Sequence, residues 1–496
     1  MSKPVTIALA FAASFPASIG CSSEVPVVRP IIDVPPADST AYPYDGVETL
    51  SLSIARAGDE RALQEASVPL GDALILPETP FGEDFVIHLV GRVGDVELSY
   101  GRTCAIDATS DILTSGTTVL EPHLYFSRIV RWGPGGTPFE GRRAGALAYA
   151  LPDGSAIFAG GDSEGRSVER FDPVTAEYSP LGVDLTPRGG AAIASLGDGR
   201  ALIVGGMASA QEPAAIIEVI DPLRSPERQR TEIAGPALRE HAVATLVNGE
   251  VLVAGGQHSD GTGQPFAATA SAWLLRFGAG DVLDPPEQLA VAMSAVRAGH
   301  TLTRLGDDIG ADVLIVGGRD DNDLPVAASE LYRPLRESFE PVIGADLARP
   351  RWNHAAVRMP GGFVLILGGQ GPGPSGIAPV VELELYDPSQ NRFTPAGVMP
   401  AGAGLTEQSV TPLPDGRVLL AGGRDAAGQP VSAAFIARLD PVDGLVDVVA
   451  TDNMAVPRAG HSAVRLCDGT VLIVGGSDET AGAVAERYNP VSLGRR

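Results

Sequence analysis

Apolar positions in this chain fall into two patterns. The commoner is a run of about four apolar residues closed by a glycine pair, as in Val471-Leu472-Ile473-Val474-Gly475-Gly476. The pairs are Gly160-Gly161, Gly205-Gly206, Gly255-Gly256, Gly317-Gly318, Gly368-Gly369, Gly422-Gly423 and Gly475-Gly476, at intervals of 45, 50, 62, 51, 54 and 53 residues. A run without polar alternation predicts a short strand covered on both faces. Before most runs stands a hairpin signal: Asp153-Gly154, Asp198-Gly199, Asn248-Gly249, Asp415-Gly416 or Asp468-Gly469. Such a step predicts a two-residue turn with positive φ at both central positions. After a gap follows a third strand that ends in a turn, as at Phe171-Asp172-Pro173, Ile220-Asp221-Pro222, Tyr332-Arg333-Pro334, Tyr386-Asp387-Pro388 and Leu439-Asp440-Pro441. A fourth strand is marked by Tyr178, Phe339 or Phe393.

The second pattern is strict alternation, confined to residues 45–122. Leu50, Leu52 and Ile54 alternate, as do Phe85, Ile87 and Leu89, then Val96, Leu98 and Tyr100. Half-buried antiparallel strands of this kind predict a small β-sandwich.

Seven copies of a four-stranded unit of about 50 residues predict an all-β chain whose main part is a seven-bladed β-propeller, because a ring of sheets covers faces that one sheet leaves open. The glycine pair, the Arg-Ala-Gly-His lead-in at 458–461 and the aromatic residue after the gap resemble kelch repeats. The resemblance covers about residues 141–496. It is weakest in the third unit, which has an insert near Gln257 to Ser271 and lacks the Asp-Pro turn. After Tyr488-Asn489-Pro490 only six residues remain, too few for a fourth strand. Residues 124–132 are β-prone and belong to no unit, so they are expected to close the last sheet. The propeller with its closing strand thus spans 123–496.

The N-terminus reads as an export signal over 1–20: Lys3, the apolar stretch Val5 to Phe15, then small residues. Ser18-Ile19-Gly20-Cys21 is similar to the lipobox of bacterial lipoproteins, although Leu is usual where Ser18 stands. That resemblance implies a lipid on Cys21, cleavage before it, and, with Ser22 following, an outer-membrane lipoprotein facing the periplasm or the surface. Ordinary secretion is the alternative. Residues 21–44, rich in proline, read as an extended tether. Two cysteines then remain, Cys104 and Cys467. An even pair in an exported chain predicts a disulfide, with two buried free thiols as the alternative.

Charge narrows the partners. Lys+Arg is 36 against Asp+Glu 61, a formal net charge of −25. Such a chain lacks the basic surface that nucleic-acid phosphates require. No run of 18 apolar residues predicts a membrane-spanning helix. Gly and Pro together number 101 of 496 residues, which disfavours a helical fold.

Candidate chemistry is concentrated in the lead-ins. His241, His300, His354 and His461 recur there, preceded by Arg239, Arg297, Arg351 and Arg458; Arg143 and Arg188 stand in units without His. One Arg and one His per unit predict mainly a structural role, with anion or ligand binding as the alternative, because metal ligands must converge within a few ångströms. Asp320-Asp321-Asn322-Asp323 lacks the spacing of a calcium loop and reads as a polar turn. No catalytic residue, metal or cofactor is expected. The expected function is a non-catalytic, envelope-anchored binding module, monomeric, that recognises a protein or glycan through its loops. The rival is a carbohydrate-active or copper-dependent enzyme of the galactose oxidase type. That resemblance implies paired Tyr and His ligands and a further domain, neither of which the sequence offers. A purely structural envelope protein is the third reading.

Overall fold

A computed structural model describes residues 27–57, 62–72, 82–108, 119–138, 145–161, 165–173, 177–209, 212–224, 230–258, 266–280, 282–440, 443–476 and 485–490. The signal segment, Cys21, Arg143 and the tip of the third-unit insert (259–265) lie outside them.

The chain is all-β. Among the described residues, seven antiparallel sheets hold four strands each. Sheet I comprises Leu147–Ala150, Ala156–Ala159, Ser167–Asp172 and Glu177–Asp184. Sheet II comprises Ala192–Ser195, Ala201–Val204, Ile216–Ile220 and Arg230–Ala234. Sheet III comprises Ala242–Thr245, Val251–Ala254, Ala272–Leu275 and Glu287–Gln288. Sheet IV comprises Thr301–Arg304, Val313–Val316, Ala328–Arg333 and Ser338–Asp346. Sheet V comprises Ala355–Arg358, Val364–Leu367, Glu382–Asp387 and Arg392–Val398. Sheet VI comprises Ser409–Pro412, Val418–Ala421, Ala434–Leu439 and Val446–Ala450. Sheet VII comprises Ser462–Arg465, Val471–Val474, Glu486–Asn489 and, from the other end of the chain, Arg131–Pro134.

The apolar tetrads are the second strands, and every residue in them is buried. Their alternate side chains serve different neighbours. Ile157 packs towards sheet II with Ile203, whereas Phe158 packs towards sheet VII with Leu472. Equivalent clusters lie between II and III, III and IV, IV and V, V and VI, and VI and VII. A fully buried Val, Leu or Ile contributes roughly 1.5–3 kcal/mol, so a sheet packed on one face alone would forgo about half of this.

The hairpins between first and second strands differ from the expected two-residue form. Leu151 N–H donates to the Ser155 carbonyl (2.8 Å), and Gly154 N–H donates to the Leu151 carbonyl (3.0 Å). Positive φ occurs at Gly154 and not at Asp153. This is a three-residue loop with a left-handed glycine. Pro152 and Pro414 could not take positive φ, since their rings fix it near −65°. The Asp side chain instead holds the loop, accepting the N–H two residues on at Asp153, Asp198, Asp415 and Asp468.

The segment expected to close the last sheet divides. Arg131–Pro134 pairs antiparallel with Glu486–Asn489, Trp132 opposite Tyr488. Their rings are 4.8 Å apart. The same third-to-fourth-strand contact joins Phe171 to Tyr178, Tyr332 to Phe339 and Tyr386 to Phe393. Residues 123–128, by contrast, belong to the N-terminal unit. There Ser127–Arg128, Val96–Arg102, Gly82–Val93, Thr49–Arg56 and Gln64–Pro69 form one sheet, with Ile106–Ala108 also on Gly82–Val93.

Residues 27–44 are not a free tether. Val27–Val28 pairs in parallel with Val119–Leu120, and Ile31–Asp33 with His123–Tyr125. Val28 joins Leu50, Leu52, Leu89, Leu124 and Phe126 in one core. Val28 lies in that core and Ile32 packs against it, and this burial offsets the cost of ordering the segment.

The two units meet at sheet VII. Cys104 and Cys467 form a disulfide, Cα atoms 5.1 Å apart, across 363 residues of chain. Arg102 donates to the Cys467 carbonyl (2.7 Å), and the Asn489 amide to the Tyr100 carbonyl (2.8 Å). Removing the cross-link with the pair Cys104→Ser and Cys467→Ser should lower unfolding stability by about 3–5 kcal/mol, given the long loop released. Denaturant titration checks this; an unchanged midpoint would mean that the strand alone holds the junction.

Candidate functional site

The lead-ins connect one sheet to the next. Arg297, Arg351 and Arg458 are buried at 0–1% exposure. Each is ion-paired with a glutamate on its own third strand: Arg297 with Glu330 (2.7 Å), Arg351 with Glu384 (2.8 Å) and Arg458 with Glu486 (2.8 Å). Arg188 pairs with Glu218 in the same way. The other donors reach the carbonyl of the first glycine of each pair: Gly317 at 3.0 Å, Gly368 at 3.2 Å and Gly475 at 2.8 Å. The second carboxylate oxygen accepts a backbone N–H before the lead-in, from Ser294 (2.6 Å), Ala348 (2.7 Å) or Ala455 (2.7 Å). The lead-in Arg carbonyl in turn accepts the N–H of the preceding unit's second glycine, as Gly256 to Arg297 and Gly318 to Arg351 (2.8 and 2.9 Å). Burial, the largest cause, lowers the pKa of Arg297 and Arg351, and the paired glutamate opposes that shift. The charges are held inside by the paired carboxylate and the glycine carbonyl, while Arg297 Nε and Arg188 Nε make no hydrogen bond; pairing with a hydrogen-bonded carboxylate is what makes such a buried charge tolerable.

Sheets III and VI lack the pair as a unit. Leu238 and Leu405 occupy the arginine position, their carbonyls accepting from Gly206 and Gly369 (both 2.8 Å). By register, Trp273 and Phe435 occupy the glutamate position. Arg239, grouped with the lead-in arginines by sequence, is thus one residue beyond the equivalent place. It bonds Gln257 (2.8 Å) and lies 3.7 Å over the Phe266 ring. The spacing carried this signal: two residues separate Arg297 from His300, but only one separates Arg239 from His241.

The histidines lie between sheets. A Cβ on Gly255 would sit 2.5 Å from His300 Cε1 and 2.6 Å from the Arg297 carbonyl, so that position requires glycine. His354 bonds the Thr301 hydroxyl (2.9 Å), and His461 the Ser409 hydroxyl (2.8 Å), each on the preceding sheet's first strand. Desolvation depresses the pKa of His241 to about 4 and of His354 and His461 to about 3, and that of His300 falls well below its usual value. These rings are neutral packing groups at pH 7. Among the described residues no group of three His, Cys, Asp or Glu side chains could hold a metal ion. The acidic loop is also committed: Asp320 accepts the Asn322 and Leu324 N–H groups (2.8 and 2.9 Å), Asp321 accepts from Ala268, and Asp323 pairs with Arg319.

Two outcomes follow for stability. Arg297→Leu strands a buried carboxylate and should cost about 3–5 kcal/mol. Adding Glu330→Phe copies sheet VI and should restore most of it; a double-mutant cycle with no coupling would refute the pairing. For the histidines, the unfolded chain binds protons below pH 6.5 while the folded chain does not. Stability is therefore complete above about pH 6.5 and falls as pH drops towards the folded values, by about 2 kcal/mol per ring at pH 5. Gln408 already stands at the histidine position of sheet VI. The double variant His354→Gln, His461→Gln should thus lose about 4 kcal/mol less between pH 7 and pH 5, measured by denaturation at both.

Compared with known proteins, the sequence matches no family model and no curated protein.

Proposed function

We propose that the seven sheets are the blades of one closed kelch-type propeller, and that it is a non-catalytic binding module anchored at the cell envelope through lipidated Cys21. The first strands support the ring: those of I and II, II and III, III and IV, IV and V, V and VI, VI and VII, and VII and I lie side by side. Gly145 N–H donates to the Gly460 carbonyl (3.0 Å), bridging the last lead-in to the first. A shared core between sheets VII and I supports it too.

The observation that carries the function is the commitment of the lead-in charges. Four buried arginines are neutralised within their own units and the histidines stay neutral, which leaves no convergent catalytic group among the described residues of the lead-ins. What varies from blade to blade is the segment after each glycine pair. It is a three-stranded patch around Gln257–His258 in blade III, a tight turn at Arg319 to Leu324 in blade IV, and a hairpin of Gln370–Gly373 and Gly376–Pro379 in blade V. Variable loops on a fixed scaffold are a common recognition device. The partner is an envelope protein or glycan.

Affinity capture from native envelope tests this. Replacing residues 257–271, 319–324 and 370–379 with short Gly-Ser turns should abolish capture without shifting the unfolding midpoint by more than a few degrees, while Cys21→Ala should abolish acyl labelling. Equal capture by both chains would sink the loop reading, and surviving label would sink the anchor.

A further inference from the structure

The last residue of each first strand stands opposite the first residue of its second strand, at the hairpin end of the sheet. In order from I to VII these are Ala150, Ser195, Thr245, Arg304, Arg358, Pro412 and Arg465. Three cations therefore lie on one arc, IV to VII, and three small uncharged residues on the other. Hydrogen bonds join these positions between II and III, III and IV, and VI and VII. The Arg304 guanidinium donates to the Thr245 carbonyl (3.1 Å), Arg465 donates to the Pro412 carbonyl (3.3 Å), and Thr245 donates to the Ser195 carbonyl (2.7 Å). Arg304 and Arg358 share a single carboxylate, Asp307, at 3.2 and 2.7 Å.

Arg465 has no carboxylate partner among the described residues. Its side chain is open to solvent, yet the protein around it is close enough for desolvation to lower its pKa, with no opposing carboxylate. That combination fits the wall of a channel mouth. Arg304 and Arg358 thus have one carboxylate between them and Arg465 has none among the described residues, on a chain of net charge −25.

We infer that the hairpin-side mouth of the axial channel binds an oxyanion, a phosphate or carboxylate group, between Arg304, Arg358 and Arg465. This rests on the ring arrangement proposed above, but not on the loops, which lie at the opposite end. Planar guanidiniums offer paired donors matched to two oxygens of such a group. The small side chains of Ala150, Ser195 and Thr245 leave the opposite arc open for the rest of the ligand. Pro412, which has no N–H, interrupts the arc without adding a competing donor.

The test titrates inorganic phosphate, and citrate as a carboxylate probe, into the full chain at fixed ionic strength with chloride as the reference. A saturable rise in unfolding temperature is expected for at least one of them. It should need at least tenfold more anion in the Arg304→Gln, Arg358→Gln, Arg465→Gln variant, and be unchanged in the surface control Arg392→Gln. The same response in the triple variant and the unaltered chain, or none beyond chloride, overturns the site. Selenate-soaked crystals separate the two levels. A seven-sector ring with anomalous density between the three guanidiniums supports the site, and a ring without density there overturns the site alone. Sheets without a common axis overturn the ring and the site with it.

Discussion

The architecture depends on a buried guanidinium that ties three parts of the chain into one knot. Arg297 holds a carboxylate of its third strand, a carbonyl at the end of its second strand, and, through its own carbonyl, the second glycine of the preceding sheet. A sheet with two apolar faces can pack on neighbours in many relative orientations, because hydrophobic contact is not directional. The charged pair is directional. Its desolvation is offset by the carboxylate and the carbonyls that it meets, so a misregistered arrangement is penalised by leaving the charge unmet. It is therefore better regarded as fixing the angle between sheets than as a source of stability.

Variation among the repeats supports that view. The arginine and the glutamate are about 30 residues apart in sequence, yet both are absent together in sheets III and VI, replaced by Leu238 with Trp273 and Leu405 with Phe435. Each substitution alone would strand a charge, whereas the pair of substitutions gives an apolar contact of similar bulk. The frame thus accepts either solution at a given sheet, and sheet III, which lacks the ion pair, is also the one with the long insert.

Much of this was legible in the sequence because it is periodic. The seven tetrads, the glycine pairs and the aromatic third-to-fourth-strand contacts repeat, and repetition within one chain distinguishes pattern from accident. The cysteine pair was legible as arithmetic. What was missed lies where residues meet through space. Glu330, Glu384 and Glu486 sit in apolar third strands and look like exceptions until the arginine across the sheet is seen. The turn type was misread because Asp-Gly outranks the neighbouring Pro152 in a local rule. Residues 27–44 looked like spacer because their prolines are conspicuous, while the value of Val28 depends on a core built from residues 50–126.

Residues 131–134 and 486–489, far apart in sequence, share one sheet. Trp132 supplies in sheet VII the aromatic that Tyr178, Phe339 and Phe393 supply elsewhere, so the last sheet is incomplete until the segment after the N-terminal unit is laid on it. An edge strand left open there would invite pairing with other chains. The disulfide and the Arg102 and Asn489 bonds converge on that seam, and Gly154 of sheet I lies against the same cysteines. In the proposed ring, the N-terminal unit is thus fixed to the seam rather than strung on a spacer.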